Sequence, residues 1–542
     1  MTPAAPRAHP GPGRAPSFRE IVMSACDRRR LLELLSMGGM FLTAGPALAQ
    51  PRFITPPFQL GVASGDPAPD GFVIWTRLAP EPLAPHGGMI MAPVAVAWEV
   101  AADEAFRHVV RRGEAIARPE LAHAVHVELA GLEPGRPYWY RFICGAERSL
   151  PGMSRTLPAA GARVDRVRFA VAGCQHFEEG WYTAWRHIAE EQADFVFHYG
   201  DYIYEGRDTG GTRLMNGRIF DPVRRHTGQE IYSLDDYRLR YAQYRADADL
   251  QAAHASAPWF VSFDDHEVDN NWVADLDQDG TPPEIFLLRR AAAFQAFYEH
   301  MPLRRASLPR GGGMRMFRRA QFGDLMQAHF LDTRQYRSDQ PNGDGDKPLA
   351  REVFAANRTM LGAEQEAWLF DGLARRETRW NLIAQQVMMM HLNTQRDPLK
   401  SEGVYPMDTW SGYLHSRRRL LDHIHDRGLT NVAVVTGDAH QHYAADLHLD
   451  QGGAPVASEF LATSITSGSD GLGETPFNAL WRRNNPHLKA MQDRRGYVLC
   501  DVRRDLFCAD MKILDQVREP GGRLSTHARF VLERGERGLK SA

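Results

Sequence analysis

Four short apolar runs in this chain each end in side chains that can bind a metal ion. Val167–Ala172 leads into Cys174 of "VAGCQHF"; "ADFVFHYGD" ends at Asp201, with Tyr204 just beyond; "PWFVSFDDHE" ends at Asp264, Asp265 and His266; "NVAVVTGDAHQH" ends at Asp438, His440 and His442. A single cysteine is ordinarily a small buried hydrophobe, and a single "DDH" is ordinarily a surface loop. Four such ends in succession favour a metal site. The donors also sort by chemistry: anionic sulfur and phenolate oxygen suit a strongly Lewis-acidic ion such as Fe(III), whereas carboxylate and amide oxygen suit calcium, magnesium or manganese. A mixed-metal centre follows.

For these residues to meet, the runs must be neighbouring strands, because α/β sheets bind ligands beyond the carboxyl ends of their strands. The segments "VRFAVAG", "GWYTAWRHIAEE" and "ADFVFHYGD" read as strand, amphipathic helix and strand, a βαβ unit that implies a mainly parallel, layered α/β sheet. Further strands are expected at "PWFVSFDD", "LMQAHFLDTR", "RWNLIAQQVMMM" and "NVAVVTGDAH", and helices at "AEQEAWLFDGLARR" and "SRRRLLDHIHDRG". Before them, from Phe58 to Leu157, short β-rich runs such as "GFVIWTRL", "PVAVAWEV" and "PYWYRFI" alternate with turns, the pattern of a fibronectin/immunoglobulin-like β-sandwich. Within it "LEPGRPYWYRF" has the form of a tyrosine corner in which the Tyr138 hydroxyl bonds back to the chain. "PAAGARV", 158–164, reads as a linker.

The chain of 542 residues is long enough for more than one core. Its first 49 residues carry Arg28, Arg29 and Arg30, then an apolar stretch, then Ala47-Leu48-Ala49, the three parts of an export signal. Paired arginines before Leu31 and Leu32 point to the twin-arginine export machinery, which carries folded proteins. The expected organisation is a signal at 1–49, a β-sandwich at 50–157, and a catalytic α/β domain with a C-terminal extension at 158–542. A formal charge of −3 gives no reason to expect specific nucleic-acid binding. No later stretch has the roughly 18 apolar residues of a membrane span, so the mature chain is expected to be periplasmic or secreted. Cys144, Cys174, Cys500 and Cys508 lie too far apart for a small disulfide scaffold, with Cys500 and Cys508 expected on adjacent strands.

The motifs "GCQHF", "GDYIYE", "SFDDHEVDNNW", "FLDTRQYR" and "TGDAHQH", followed by "ATSITSG" and "NPHLKAMQDRRGY", closely resemble the alkaline phosphatase D family, a branch of the calcineurin-like metallophosphoesterases. The resemblance covers almost all of the chain beyond the leader. It implies a four-layer α/β/β/α domain holding Fe(III) and calcium and hydrolysing phosphate esters with a metal-bound water. By position, Cys174, Tyr204 and His440 would hold iron, Asp201 would bridge, and Asp265 and Asp438 would hold calcium. Gln385 or Gln386 of "IAQQV" would add an amide oxygen, the choice between them staying open. His266 would be the catalytic histidine, protonating the leaving group or bonding a phosphoryl oxygen, with Asp264 and Glu267 as its orienting neighbours. The family includes alkaline phosphatases and phospholipase-D-like diesterases, so monoesters, diesters, lipid headgroups and teichoic-type polymers all remain open as substrates. Loops such as 206–229 would set the cleft width. A non-catalytic binding module is the remaining alternative.

Other signals are weaker. Arg334 in "DTRQYR" is suited either to clamping phosphate through its planar guanidinium or to an ion pair with Asp332. "DLDQDG" begins like an EF-hand loop but has Phe286 where a bidentate glutamate is required, so it reads as a polar turn. Met388–Met390 read as core, His423 and His425 as solvated, and His442 as a residue behind the ligands.

Overall fold

Strand-forming runs buried on both faces assemble two large mixed sheets in this computed structural model, which describes residues 52–208, 213–215, 218–450, 452–475 and 477–542. The leader assigned to residues 1–49 lies outside the described residues. Residues 50–542 form one compact unit.

The first sheet has ten strands. At its centre Arg166–Ala172, Phe195–His198, Pro258–Val261 and Val62–Ala68 run parallel. The second has seven strands, with Met326–Phe330, Trp380–Ala384, Val432–Thr436 and Pro455–Leu461 parallel to one another. Strands such as "VAVVT", buried throughout, are near-continuous apolar runs because both of their faces are covered.

Alternation within each strand decides what covers it. Phe169 and Val171 point into a buried cluster shared with Phe330, Leu382, Val435 and Phe460 of the second sheet, while Ala170 and Ala172 face Trp185, Ile188, Tyr237 and Phe294. On the second sheet, Ile383 and Val434 pack with Leu369, Leu373, Leu420 and Ile424. The covering residues come from the helices Thr183–Glu190, Leu234–Arg245, Pro283–His300, Gly362–Ala374 and Leu414–Asp426. A capping box starts the second of these: Ser233 Oγ accepts the Asp236 N–H at 3.2 Å and Asp236 accepts the Ser233 N–H at 2.9 Å.

The N-terminal β-rich region divides between sheets. Val62–Ala68, Gly71–Arg77 and Ala124–Glu128 extend the ten-stranded sheet, while Val94–Ala101, Val109–Ala117 and Pro137–Cys144 belong to a separate five-stranded sheet. Phe72, Ile74 and Val125 of the first set share a buried cluster with Val96, Val100, Tyr140 and Phe142 of the second. Sequence patterning does not reveal that part of this region is continuous with the sheet carrying Cys174. The tyrosine corner is present, the Tyr138 hydroxyl accepting the Glu133 N–H at 3.0 Å. The C-terminal segment Leu524–Glu533 is a strand of the ten-stranded sheet.

All four cysteines among the described residues are free. Cys500 and Cys508 do lie on adjacent antiparallel strands, but Cys500 opposes Ala509 and Cys508 opposes Asp501. Side chains alternate faces along a strand, so the two thiols point away from each other. Met388–Met390 are buried in the core. His423 is stacked on Phe370 at 4.3 Å rather than solvated, while His425 is exposed.

Candidate metal centre

Residues just past the strands Arg166–Ala172, Phe195–His198, Pro258–Val261 and Val432–Thr436 converge. Cys174, Asp201, Asp438 and His440 all adopt left-handed backbone conformations, with φ of 49°, 56°, 68° and 57°. Such conformations are uncommon for residues other than glycine and mark sites where surrounding structure over-determines the chain. Gly173 and Gly437 let two strand ends close on the same ring: a Cβ at either position would collide with Tyr199.

Three groups of donors result, each with its ligand atoms within 4.8 Å of one another: Cys174, Asp201 and His440; Asp201, Asp265 and His266; Asp264, Asp265 and Asp438. Asp201 and Asp265 each belong to two groups, so the three form one continuous centre. Tyr204 adjoins the first group, its hydroxyl oxygen 2.9 Å from Asp201 Oδ2 and 3.3 Å from His440 Nε2. The Cys174 thiol donates to Asp201 Oδ2 at 3.3 Å.

The electrostatics of the cluster are those of a site short of positive charge. Burial, then the charges of Asp201, Asp438 and Asp264, pushes the Cys174 thiol well above its ordinary value. Burial and Asp201 do the same to the Tyr204 phenol, and burial with neighbouring carboxylates raises Asp201 and Asp438. Burial works against Asp265, but Arg334 and His266 hold it below its usual range. Asp201 Oδ1, Asp264 Oδ2 and Asp265 Oδ1 are buried without hydrogen-bond partners. Buried carboxylate oxygens left in this way are costly, and a polyvalent cation relieves both the missing contacts and the mutual repulsion. The donor set therefore fits metal ions.

His266 is positioned by a residue other than those expected. Its Nδ1 lies 2.7 Å from Glu205 Oε2, which leaves Nε2 toward the centre, 4.0 Å from Asp265 Oδ2. Burial opposes the imidazolium, but Glu205, Asp265 and Asp201 raise His266 well above its ordinary value. Asp264 and Glu267, the anticipated orienters, are occupied elsewhere. Asp264 pairs with Arg334 Nε at 2.5 Å. Glu267 accepts the backbone N–H groups of Asp201, Tyr202 and Asp264 at 3.0, 2.6 and 2.8 Å, tying two strand-end loops together.

Arg334 also has partners the sequence did not suggest. Its fully buried guanidinium faces Asp264, Asp265 and Asp408, while Asp332 accepts its backbone N–H at 3.0 Å. Gln385 and Gln386 are both fully buried. The Gln385 amide oxygen accepts from Trp410 Nε1 at 2.8 Å; that of Gln386 accepts the Thr333 N–H and hydroxyl at 3.0 and 2.7 Å. His442 bonds the Lys512 carbonyl at 3.0 Å and lies outside the three donor groups.

Sequence reasoning missed Glu205, Asp408 and Ser467. Ser467 Oγ lies 2.6 Å from the Tyr204 hydroxyl and donates to the Cys174 carbonyl at 2.8 Å. The motifs "GDYIYE" and "ATSITSG" contained Glu205 and Ser467 without revealing their partners. Of the 206–229 loop, residues 213–215 and 218–220 pair as two short strands, and the intervening positions lie outside the described residues. The Asp275–Gly280 turn is local, Asp277 Oδ1 accepting the Thr281 N–H at 2.9 Å.

Comparison with known proteins agrees across the chain. The PhoD-like phosphatase model matches residues 169–511, and the model of the N-terminal domain of PhoD-like phosphatases matches residues 44–158. Alkaline phosphatase D of Bacillus subtilis (strain 168) is 48% identical over 498 residues, covering 91% of this chain and 83% of that protein. A solved structure of PhoD superposes with a TM-score of 0.87 at 47% identity, covering 91% of this chain and 93% of the other.

Proposed function

The chain belongs to the PhoD-like phosphatase family, and from that premise we propose that it is an exported, metal-dependent phosphoric ester hydrolase acting on phosphomonoesters, phosphodiesters or both. The observation that carries the metal dependence is the continuous set of three donor groups sharing Asp201 and Asp265. Cys174, Tyr204 and His440 would hold Fe(III), Asp201 would bridge, and Asp265 and Asp438 would hold calcium, with Asp264 beside them. Gln385 or Gln386 would be a further oxygen donor. When bound, the ions supply Lewis acidity toward the phosphoryl oxygens and lower the pKa of water.

The protein's own groups do the rest. Glu205 fixes the His266 ring through Nδ1, so Nε2 can carry a proton to the departing oxygen. Arg334 holds Asp264 and Asp265 in place as a positioning residue, a role supported by its complete burial. Glu267 fixes the separation of Asp201 from Asp264 through backbone amides.

The clusters on the two sheets support a four-layer α/β/β/α catalytic domain at 158–542 preceded by a sandwich domain at 50–157. The basic, apolar and small-residue parts of residues 1–49 support twin-arginine export to the periplasm or beyond. Among the described residues, no helix is long and apolar enough to cross a membrane.

Elemental analysis of the purified chain, with hydrolysis of a chromogenic phosphomonoester and a chromogenic diester before and after chelation, tests the reading. Iron and calcium in the protein, with hydrolysis lost on chelation, are expected. Full hydrolysis by iron-free, calcium-free protein overturns it.

A further inference from the structure

A cavity of about 380 Å³ is lined by His391, Arg417, Asp446, His448, His487 and Lys489. None of these belongs to the three donor groups. Its wall sets two cations, Arg417 and Lys489, against one carboxylate, Asp446. Arg417 is only 8% exposed. Its Nε donates to the Met389 carbonyl at 2.7 Å and its Nη1 to the His448 carbonyl at 3.3 Å; among the described residues no carboxylate lies within ion-pair distance of it, and Glu459 acts on it only through space. The one acidic group in the lining is already engaged: Asp446 Oδ2 meets Lys489 at 3.2 Å, and Oδ1 accepts from Ser458 and from the Leu539 N–H, each at 2.9 Å.

Three imidazoles complete the wall. His487 Nε2 is buried without a partner, with its ring 6.5 Å from that of His448. His448 is fixed through Nδ1 to the Gly453 carbonyl at 2.7 Å. His391 is stacked on Tyr405 at 4.1 Å and held through Nδ1 by Ser411 at 3.1 Å. Burial, then the charge of Arg417, pushes His391 down to about 3 and His487 down to about 4. Neutral rings of this kind still donate one N–H each.

We propose that this cavity is a binding site for a small, multiply charged oxyanion of the phosphate type, held by Arg417 and Lys489. A guanidinium beside N–H donors satisfies several oxygens of one tetrahedral anion at once. A transition-metal ion, the other common guest of histidines, would lie against the charges of Arg417 and Lys489.

Equilibrium dialysis of radiolabelled inorganic phosphate against the full chain tests the site, compared with Arg417→Met and, since Arg417 also braces the Met389 carbonyl, with Lys489→Met and His487→Phe. The wild-type chain is expected to hold one more phosphate than Arg417→Met. Lys489→Met is expected to weaken that extra site by about threefold, as loss of an exposed charge should. Identical stoichiometry and affinity across the wild type and all folded variants overturns the proposal. So does binding of Zn(II) that His487→Phe abolishes.

Discussion

The two ends of the strand-edge cluster make different demands on an ion. At one end Cys174, Tyr204 and His440 bring sulfur, phenol and imidazole around Asp201; at the other Asp264, Asp265 and Asp438 bring only oxygen. Both ends are buried and both are rich in negative charge. The second also has Arg334 in direct ion pairs with its carboxylates Asp264 and Asp265. A guanidinium beside a carboxylate trio lowers the charge an ion must supply, which suits a divalent guest. Among the described residues no ion pair reaches the thiol or the phenol, and burial and Asp201 push both well above their ordinary values. They ionise only when a strongly polarising ion replaces their protons.

The most damaging change should be at the residue common to both ends. Asp201→Ala is expected to strip both ions and reduce turnover by about 10³-fold, since each metal supplies several kcal/mol of charge stabilisation; elemental analysis beside the rate checks it, and retention of both ions would dissolve the idea of one shared centre. His266→Ala is expected to cut turnover by about 10²–10⁴-fold, the usual range for a general acid, while iron and calcium stay. Metal loss in that variant would make His266 a ligand instead.

The ends should then separate. Tyr204→Phe should abolish visible absorption from phenolate and iron while leaving calcium, and Asp438→Asn should reduce calcium while leaving the absorption. Coupled loss in both variants would show that the ends do not differ as their donors suggest. Glu205→Gln is expected to lower kcat/KM by about 10–100-fold, as a partner supporting a functional residue does, without changing metal content. At the bottom of the scale, Cys508→Ser should leave activity unchanged and stability within about 0.5 kcal/mol, read by thermal unfolding, because this partly buried thiol forms no disulfide.

Much of this centre is legible in the sequence, because each donor follows an apolar strand and α/β sheets gather ligands beyond the carboxyl ends of their strands. What was hidden depends on contacts between distant segments. Glu205 sits in a quoted motif, yet its partner His266 is 61 residues away. Ser467 reaches Tyr204 across 263 positions. The sequence suits Arg334 either to clamping phosphate or to pairing with Asp332, whereas its buried guanidinium faces Asp264, Asp265 and Asp408. The strands of the N-terminal β-rich region are legible from alternation and turns. Their union with the ten-stranded sheet is not, since Ser64 pairs with Pro258 and nothing in local patterning encodes that register.

The left-handed backbone at Cys174, Asp201, Asp438 and His440 limits which sequences can ever occupy these positions. Aspartate visits that region comparatively readily and β-branched residues almost never do. A lineage exploring replacements at Cys174 therefore meets a conformational filter before any chemical one. Aspartate passes it and also supplies an anionic donor, so exchange between cysteine and aspartate is the natural path for altering the ion at this end, and valine is barred twice over.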